Sequence, residues 1–295
     1  MRGIRHLILV FFILGSLSLR SQTLTLYALP SPHRINWKTP HHLVLSIANN
    51  FLTKKKHSYS LRAMGHIVVE LKKNDSVILT GMVPNKNKDL FKSIFAEEYG
   101  LGVLFKLIEG HLEKKEILIP EIESRTKTGK VAFITFNIND SSYFYLKNYI
   151  DSFRRLGYDK LYNGKNDPRH GEGSGCSAFG MSFLELINAL EPEFSREWVT
   201  DKAIPNKLIG GELTHSKVSI LKVFFSFGWA KDKQPHTHLK LYNPGLIYSW
   251  IEKKYNDELI NKLGKYRIST INLAKGIILD YQQICKPQFP MFPEN

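Results

Sequence analysis

The residue best placed for covalent chemistry is Cys176, in the stretch HGEGSGCSAFGMSFLELINAL that runs from His170 to Leu190. Gly171, Gly173 and Gly175 lead into an apolar series, Cys176, Phe179, Phe183, Ile187 and Leu190, whose steps of three and four predict an amphipathic helix. Cys176 then falls in the first turn, where unpaired backbone N–H groups and the helix dipole favour a negative charge. That placement lowers a thiol from about 8.5 toward the range where the nucleophilic thiolate is populated. The glycines are expected to leave a substrate carbonyl room to approach the backbone. Read for packing alone, Cys176 is a small apolar residue opening a buried helix. The second cysteine, Cys285, lies in the Pro-rich tail CKPQFPMFPEN, and in an oxidising compartment a Cys176–Cys285 disulfide is the rival to a reactive thiol.

A thiol nucleophile needs a base, and His66 is the candidate. It sits in GHIVVEL (65–71), which pairs with SVILTGM (76–82) through the turn residues Lys72 to Asp75 in a predicted β-hairpin. Alternation puts His66, Val68 and Glu70 on one face, and Gly65 leaves space beside the histidine. Pairing the arms places Thr80 near His66, whereas Glu70 lies roughly 13 Å along the strand. The remaining histidines promise less. His41 and His42 are adjacent on a predicted helix and point apart, and His111 is expected in a turn. His236 and His238 face the same way at strand spacing but lack a third ligand, so no metal is expected. No Gly-rich phosphate loop is present, and no cofactor is expected.

The elements that must carry these residues follow from the pattern. Thr23 to Lys38, with Pro30 and Pro32, reads as irregular; Pro40–Leu52 reads as a short helix with Leu43, Ile47 and Phe51 on one face. Asn87 to Tyr99 is helical in pattern and stops at Gly100 and Gly102. Val103–Ile108, Glu116–Ile119 and Val131–Asn137 are strand-like by composition. Ser141 to Tyr158 returns to helical spacing, with Ser141 or Ser142 as cap, and residues 163–175 form a polar loop into the cysteine helix. Trp198 to Leu213 reads as loop and short strand, Lys217–Phe227 as a strand, and Asn243-Pro244 opens a helix through Ile247, Ile251 and Tyr255. Asp257–Gln283 holds a second helix or a strand pair.

Residues 1–22 stand apart. Arg2 and Arg5 precede LILVFFIL (7–14) and then Gly15, Ser16 and Ser18, as in a secretory signal peptide. The apolar run is far short of the roughly 20 residues that span a bilayer. Export places the protein in the periplasm or outside the cell. Loss of the three arginines in this segment takes the net charge from +14 to +11. A surplus of that size favours anionic partners, here a cell-envelope polymer or a peptide substrate, with peripheral contact to lipid headgroups. Nucleic acid is not expected, because the basic stretches lack interleaved aromatics; Lys54-Lys55-Lys56 reads as a solvated loop. A monomer is expected.

The order strand histidine, further strands, aromatic helix, polar loop and cysteine helix resembles the circularly permuted branch of the NlpC-like papain-fold superfamily, the arrangement shared with lecithin:retinol acyltransferase-type proteins. The matching stretches are GHIVVEL, SYFYLKNYIDSF (142–153) and GSGCSAFGMSFLEL (173–186), together covering Ala63 to Ala189. One departure is Gly175, where the family commonly has asparagine. The resemblance implies an α+β fold in which an antiparallel sheet packs on a central helix with cysteine at its N-terminus. The domain would run over residues 23–214, and residues 215–295 would add a C-terminal α/β extension packed on it. It also implies a cysteine peptidase or amidase that works through an acyl-enzyme, with Cys176 as nucleophile and His66 as base. Thr80 is the available orienting residue on the next strand. A catalytically inactive binding or scaffold protein of the same fold, or a lipid acyltransferase or thioesterase, are the alternatives.

Overall fold

The computed structural model describes residues 22–53, 62–85, 92–283 and 290–293. Most of the expected signal peptide, the Lys54–Lys56 loop, the start of the expected 87–99 helix and Cys285 lie outside the described residues. The chain is a mixed α+β protein.

Its first strand, β1 (Gln22–Leu29), occupies the segment whose prolines suggest irregular structure. Pro30 and Pro32 terminate the strand; they do not abolish it. QTLTLYAL alternates, and both of its faces are covered: Leu24, Leu26 and Ala28 join one core, Tyr27 and Leu29 another. Helix α1 (Pro40–Leu52) follows, capped by Thr39 as its hydroxyl accepts from His42 N–H. The hairpin forms as β2 (His66–Lys73) and β3 (Ser76–Thr80), with Asn74 in the left-handed region at φ 53° to close the turn.

β4 (Met82–Pro84) leaves the main sheet and pairs with β5 (Ile108–Leu112), so His111 lies on a strand and not in a turn. The Val103–Ile108 stretch is split between a 3₁₀ turn at Leu101–Leu104 and the start of β5. Glu116–Ile119 is not a strand either. It belongs to helix α2 (Lys115–Lys127), which buries Leu118 and Ile122 against Tyr27, Val68 and Phe133. The four-residue spacing of Leu118 and Ile122 marks a helix, a period that the β-branched composition of so short a run conceals.

β6 (Ala132–Ile138) leads into α3 (Asp140–Arg155), whose cap is Asn139 and not a serine: its side-chain oxygen accepts from Ser142 N–H at 2.9 Å. The short β7 (Leu161–Tyr162) adds to β5. Helix α4 (Cys176–Leu186) begins at the cysteine, and α5 (Pro192–Glu197) and β8 (Val199–Pro205) come next. The Lys217–Phe227 run is capped by Ser219, whose hydroxyl accepts from Lys222 N–H, and forms α6 (Ile220–Phe224), not a strand. β9 (His236–Tyr242) pairs with β8, and α7 (Pro244–Asn261) precedes the hairpin β10 (Arg267–Ile271) and β11 (Ala274–Asp280).

The main sheet has the order β10-β11-β6-β1-β2-β3. It is mixed, because β11 runs parallel to β6 while its other pairs are antiparallel. Strands from residues 215–295 are thus built into the same sheet as those before residue 214. On one face, α3, α4 and α7 contribute Leu146, Tyr149, Phe153, Phe179, Phe183, Ile247 and Ile251 to the larger core; α2 covers the other. Burial of this kind stabilises by about 25 cal/mol per Å² of apolar surface and fixes where α4 can start.

Candidate active site

The site forms where the sheet edge opens. The β2–β3 ladder stops at Val69 and Thr80, and Gly81 then turns the chain toward β4. The N-terminus of α4, which packs on β2, sits at this opening. The Ile67 backbone N–H and the His66 imidazole both lie near enough to the Cys176 sulfur to favour its thiolate. Cys176 is a free thiol with only 9% of its surface exposed, and His66 shows 2%.

His66 Nε2 lies 2.7 Å from Glu113 Oε2, which leaves Nδ1 as the ring nitrogen available to sulfur. The other carboxylate oxygen, Oε1, accepts from Arg62 Nη2 at 2.6 Å, and the same guanidinium nitrogen reaches Glu121 Oε2 at 2.9 Å. Arg125 Nε closes the chain on Glu121 Oε1 at 3.0 Å. Sulfur, imidazole, carboxylate, guanidinium, carboxylate and guanidinium therefore alternate through the interior. Buried charges persist only when paired and hydrogen-bonded in this way.

The electrostatics follow. Burial alone would push the Cys176 thiol up, but the His66 charge and hydrogen bond, with the Ile67 N–H, bring it below its ordinary value. Burial and the Arg62 charge oppose an imidazolium at His66, yet Cys176 and Glu113 outweigh them and its pKa is raised. Burial also disfavours the Glu113 carboxylate, which His66 and Arg62 nevertheless hold below the usual range. Both shifts run in the direction that eases proton transfer from sulfur to imidazole.

Tyr162 supplies a further group. Its hydroxyl lies beside Cys176, and burial, then the neighbouring sulfur, raise its pKa. Ser177 Oγ lies 3.8 Å from the sulfur.

Thr80, expected beside His66, pairs with Val69, and its hydroxyl donates to the Glu113 carbonyl at 3.0 Å. Its link to the imidazole runs through Glu113, which is held again by Glu113 N–H donating to Gly81 O at 2.9 Å. Gly81 permits this crowding, since a Cβ there would lie 2.9 Å from His66 Nε2. The glycines before Cys176 do not open a path for substrate. The space a side chain at Gly175 would take is held by Gly164 Cα at 2.6 Å and Asn163 O at 3.1 Å. They let the preceding loop close against the helix start.

Glu113, Arg62 and Tyr162 carry no mark in the sequence that sets them apart. Glu113 sits in HLEKKEIL, between the turn expected at His111 and the strand expected from Glu116, and its partner His66 is 47 residues away. Elsewhere, His236 and His238 do face one another, Nε2 to Nε2 at 3.2 Å, but among the described residues no group of three His, Cys, Asp or Glu gathers to hold a metal. No family model, no curated protein and no solved structure matches this chain.

Proposed function

We propose that the protein is an exported cysteine hydrolase of the permuted NlpC-like papain type, cleaving a peptide or amide of the cell envelope. The observation that carries this reading is the His66–Glu113 hydrogen bond of 2.7 Å, buried beside the free thiol of Cys176 at the start of a helix. His66 takes the thiol proton through Nδ1, and Glu113 fixes the tautomer and supports the imidazolium. The thiolate attacks the substrate carbonyl, forming a C–S bond, and the carbonyl electron pair moves to oxygen. Cys176 N–H binds that oxyanion. The Tyr162 hydroxyl, which lies beside Cys176, turns to the same oxygen as a second donor. The imidazolium then protonates the leaving amine as the C–N bond breaks. Water, deprotonated by His66, attacks the thioester, and the acid leaves with the thiol restored.

The low exposure of Cys176 favours a second reading, a binding or scaffold protein that retains the fold with its thiol shut away. One experiment separates them. The purified protein is treated with iodoacetamide across pH 5–9 (an assay range of about four units) and offered a panel of fluorogenic amides, with Cys176→Ala and His66→Ala alongside. The hydrolase reading expects labelling at neutral pH that outpaces a free thiol, and amide cleavage that both variants abolish. Labelling no faster than a free thiol, with no cleavage, would leave the scaffold.

A further inference from the structure

A second site lies apart from the thiol. The loop after β1, strand β8 and the first turns of α7 enclose an open groove of about 1040 Å³. None of Cys176, His66, Glu113, Tyr162 or Arg62 lines it. Three cations do: Arg34 and Lys38, both exposed, and the half-buried Lys202. Among the described residues none of the three is ion-paired. Asp201, the acid in the same wall, is turned to His238, with Oδ1 at 3.3 Å from Nδ1. The groove therefore has an excess of positive charge, in a protein whose net charge is already +14. Concavity concentrates such a field and draws in anions.

Trp37 and Tyr248, both half-buried, also line the groove. The Tyr248 ring is pinned by its hydroxyl, which donates to Gly129 O at 3.0 Å, while Trp37 is held by its backbone carbonyl, which accepts from Trp229 Nε1 at 2.9 Å, and by packing of its indole against the core around Leu43 and Ile204. Their apolar faces suit the C–H faces of sugar rings, while a guanidinium and two ammonium groups suit sulfate, phosphate or carboxylate substituents. An acidic peptide would satisfy the cations but has no use for two ring platforms.

We propose that this groove binds an anionic glycan, with sugar rings on Trp37 and Tyr248 and acidic substituents on Arg34, Lys38 and Lys202. It would tether the protein to a charged polysaccharide independently of the thiol site.

The test uses heparin as the charged glycan, dextran as a neutral one and poly-L-glutamate as a ringless polyanion, each titrated against the full chain by calorimetry. Heparin is expected to bind, with dextran undetectable and poly-L-glutamate at least about tenfold weaker. Release of counterions at three contacts predicts that heparin affinity falls roughly 20-fold between about 50 and about 200 mM salt. Arg34→Glu with Lys202→Glu should weaken heparin binding at least about tenfold at the lower salt, while Cys176 alkylation stays at the wild-type rate. Both side chains reach solvent, so the fold survives their reversal, and Trp37→Leu gives an independent loss of the ring platform. Equal binding of poly-L-glutamate and heparin, equal binding of dextran, or unchanged affinity in the double reversal would each overturn the proposal. Since alkylation reports the thiol and titration reports the groove, failure of one reading leaves the other standing.

Discussion

Replacing Glu113 with glutamine tests the electrostatic reasoning most directly. The carboxylate is 4% exposed and accepts two charged donors, His66 Nε2 at 2.7 Å and Arg62 Nη2 at 2.6 Å. Glutamine keeps the shape but removes the charge that supports an imidazolium, while the Arg62 charge that opposes one remains. A hydrogen bond to a charged group is worth about 1.5–3 kcal/mol. At about 1.4 kcal/mol per factor of ten, the thiolate population at neutral pH should fall roughly 10- to 150-fold. The assay is the second-order rate of iodoacetamide labelling at Cys176 as a function of pH. In the wild type, the lowered thiol pKa and raised imidazole pKa predict a labelling plateau that persists below the ordinary thiol range and falls only as the thiolate is protonated in acid. In Glu113→Gln the profile should shift to higher pH and meet the wild type above the free-thiol range.

Stability gives a second readout with its own sign. Glu113 has a folded pKa below its unfolded value, so its contribution is full above the unfolded carboxylate range and is lost as pH falls through the folded value. The variant should lack that part of the acid-induced decline. Glu113→Asp, which retains the charge, should keep more of the labelling at neutral pH. A correctly melting Glu113→Gln protein with an unshifted labelling profile would refute the reasoning.

Two further substitutions probe the same constellation. Gly81→Ala puts a methyl 2.9 Å from His66 Nε2 and 3.0 Å from Ile67 O; it should cost about 1–3 kcal/mol in denaturant unfolding and slow labelling by displacing the imidazole. Wild-type labelling and stability in that variant would mean the ring is not held as described. Tyr162→Phe removes the hydroxyl that lies beside Cys176. On any amide found to be cleaved, kcat should drop about 10²-fold or more, while the variant still labels at Cys176; unchanged kcat removes Tyr162 from the oxyanion site.

Local pattern was enough to place α1, the β2–β3 hairpin, α3 and α4, because each carries its own period or cap within a dozen or so residues. The cysteine at a helix start and the histidine at a strand start were legible for the same reason. Composition misled where a short β-branched run had two readings: Glu116–Ile119 is helical because Leu118 finds a one-sided core with Ile122, and within Lys217–Phe227 the turn Ile220–Phe224 is helical because Ser219 caps it and Val223 is buried. Prolines misled at β1, since they end a strand as readily as they exclude one.

What this sequence determined by itself is a mixed α+β chain, strongly basic, with a thiol poised at a helix N-terminus and a distant histidine on a strand. Only the tertiary structure decided which carboxylate serves the histidine. Glu113, Glu121 and Arg125 lie on α2 and just before it, but Arg62 and His66 reach them from 51 and 47 residues before Glu113, and a buried charge leaves no periodic trace. Its position is dictated by what desolvation allows once the sheet and helices have closed around it.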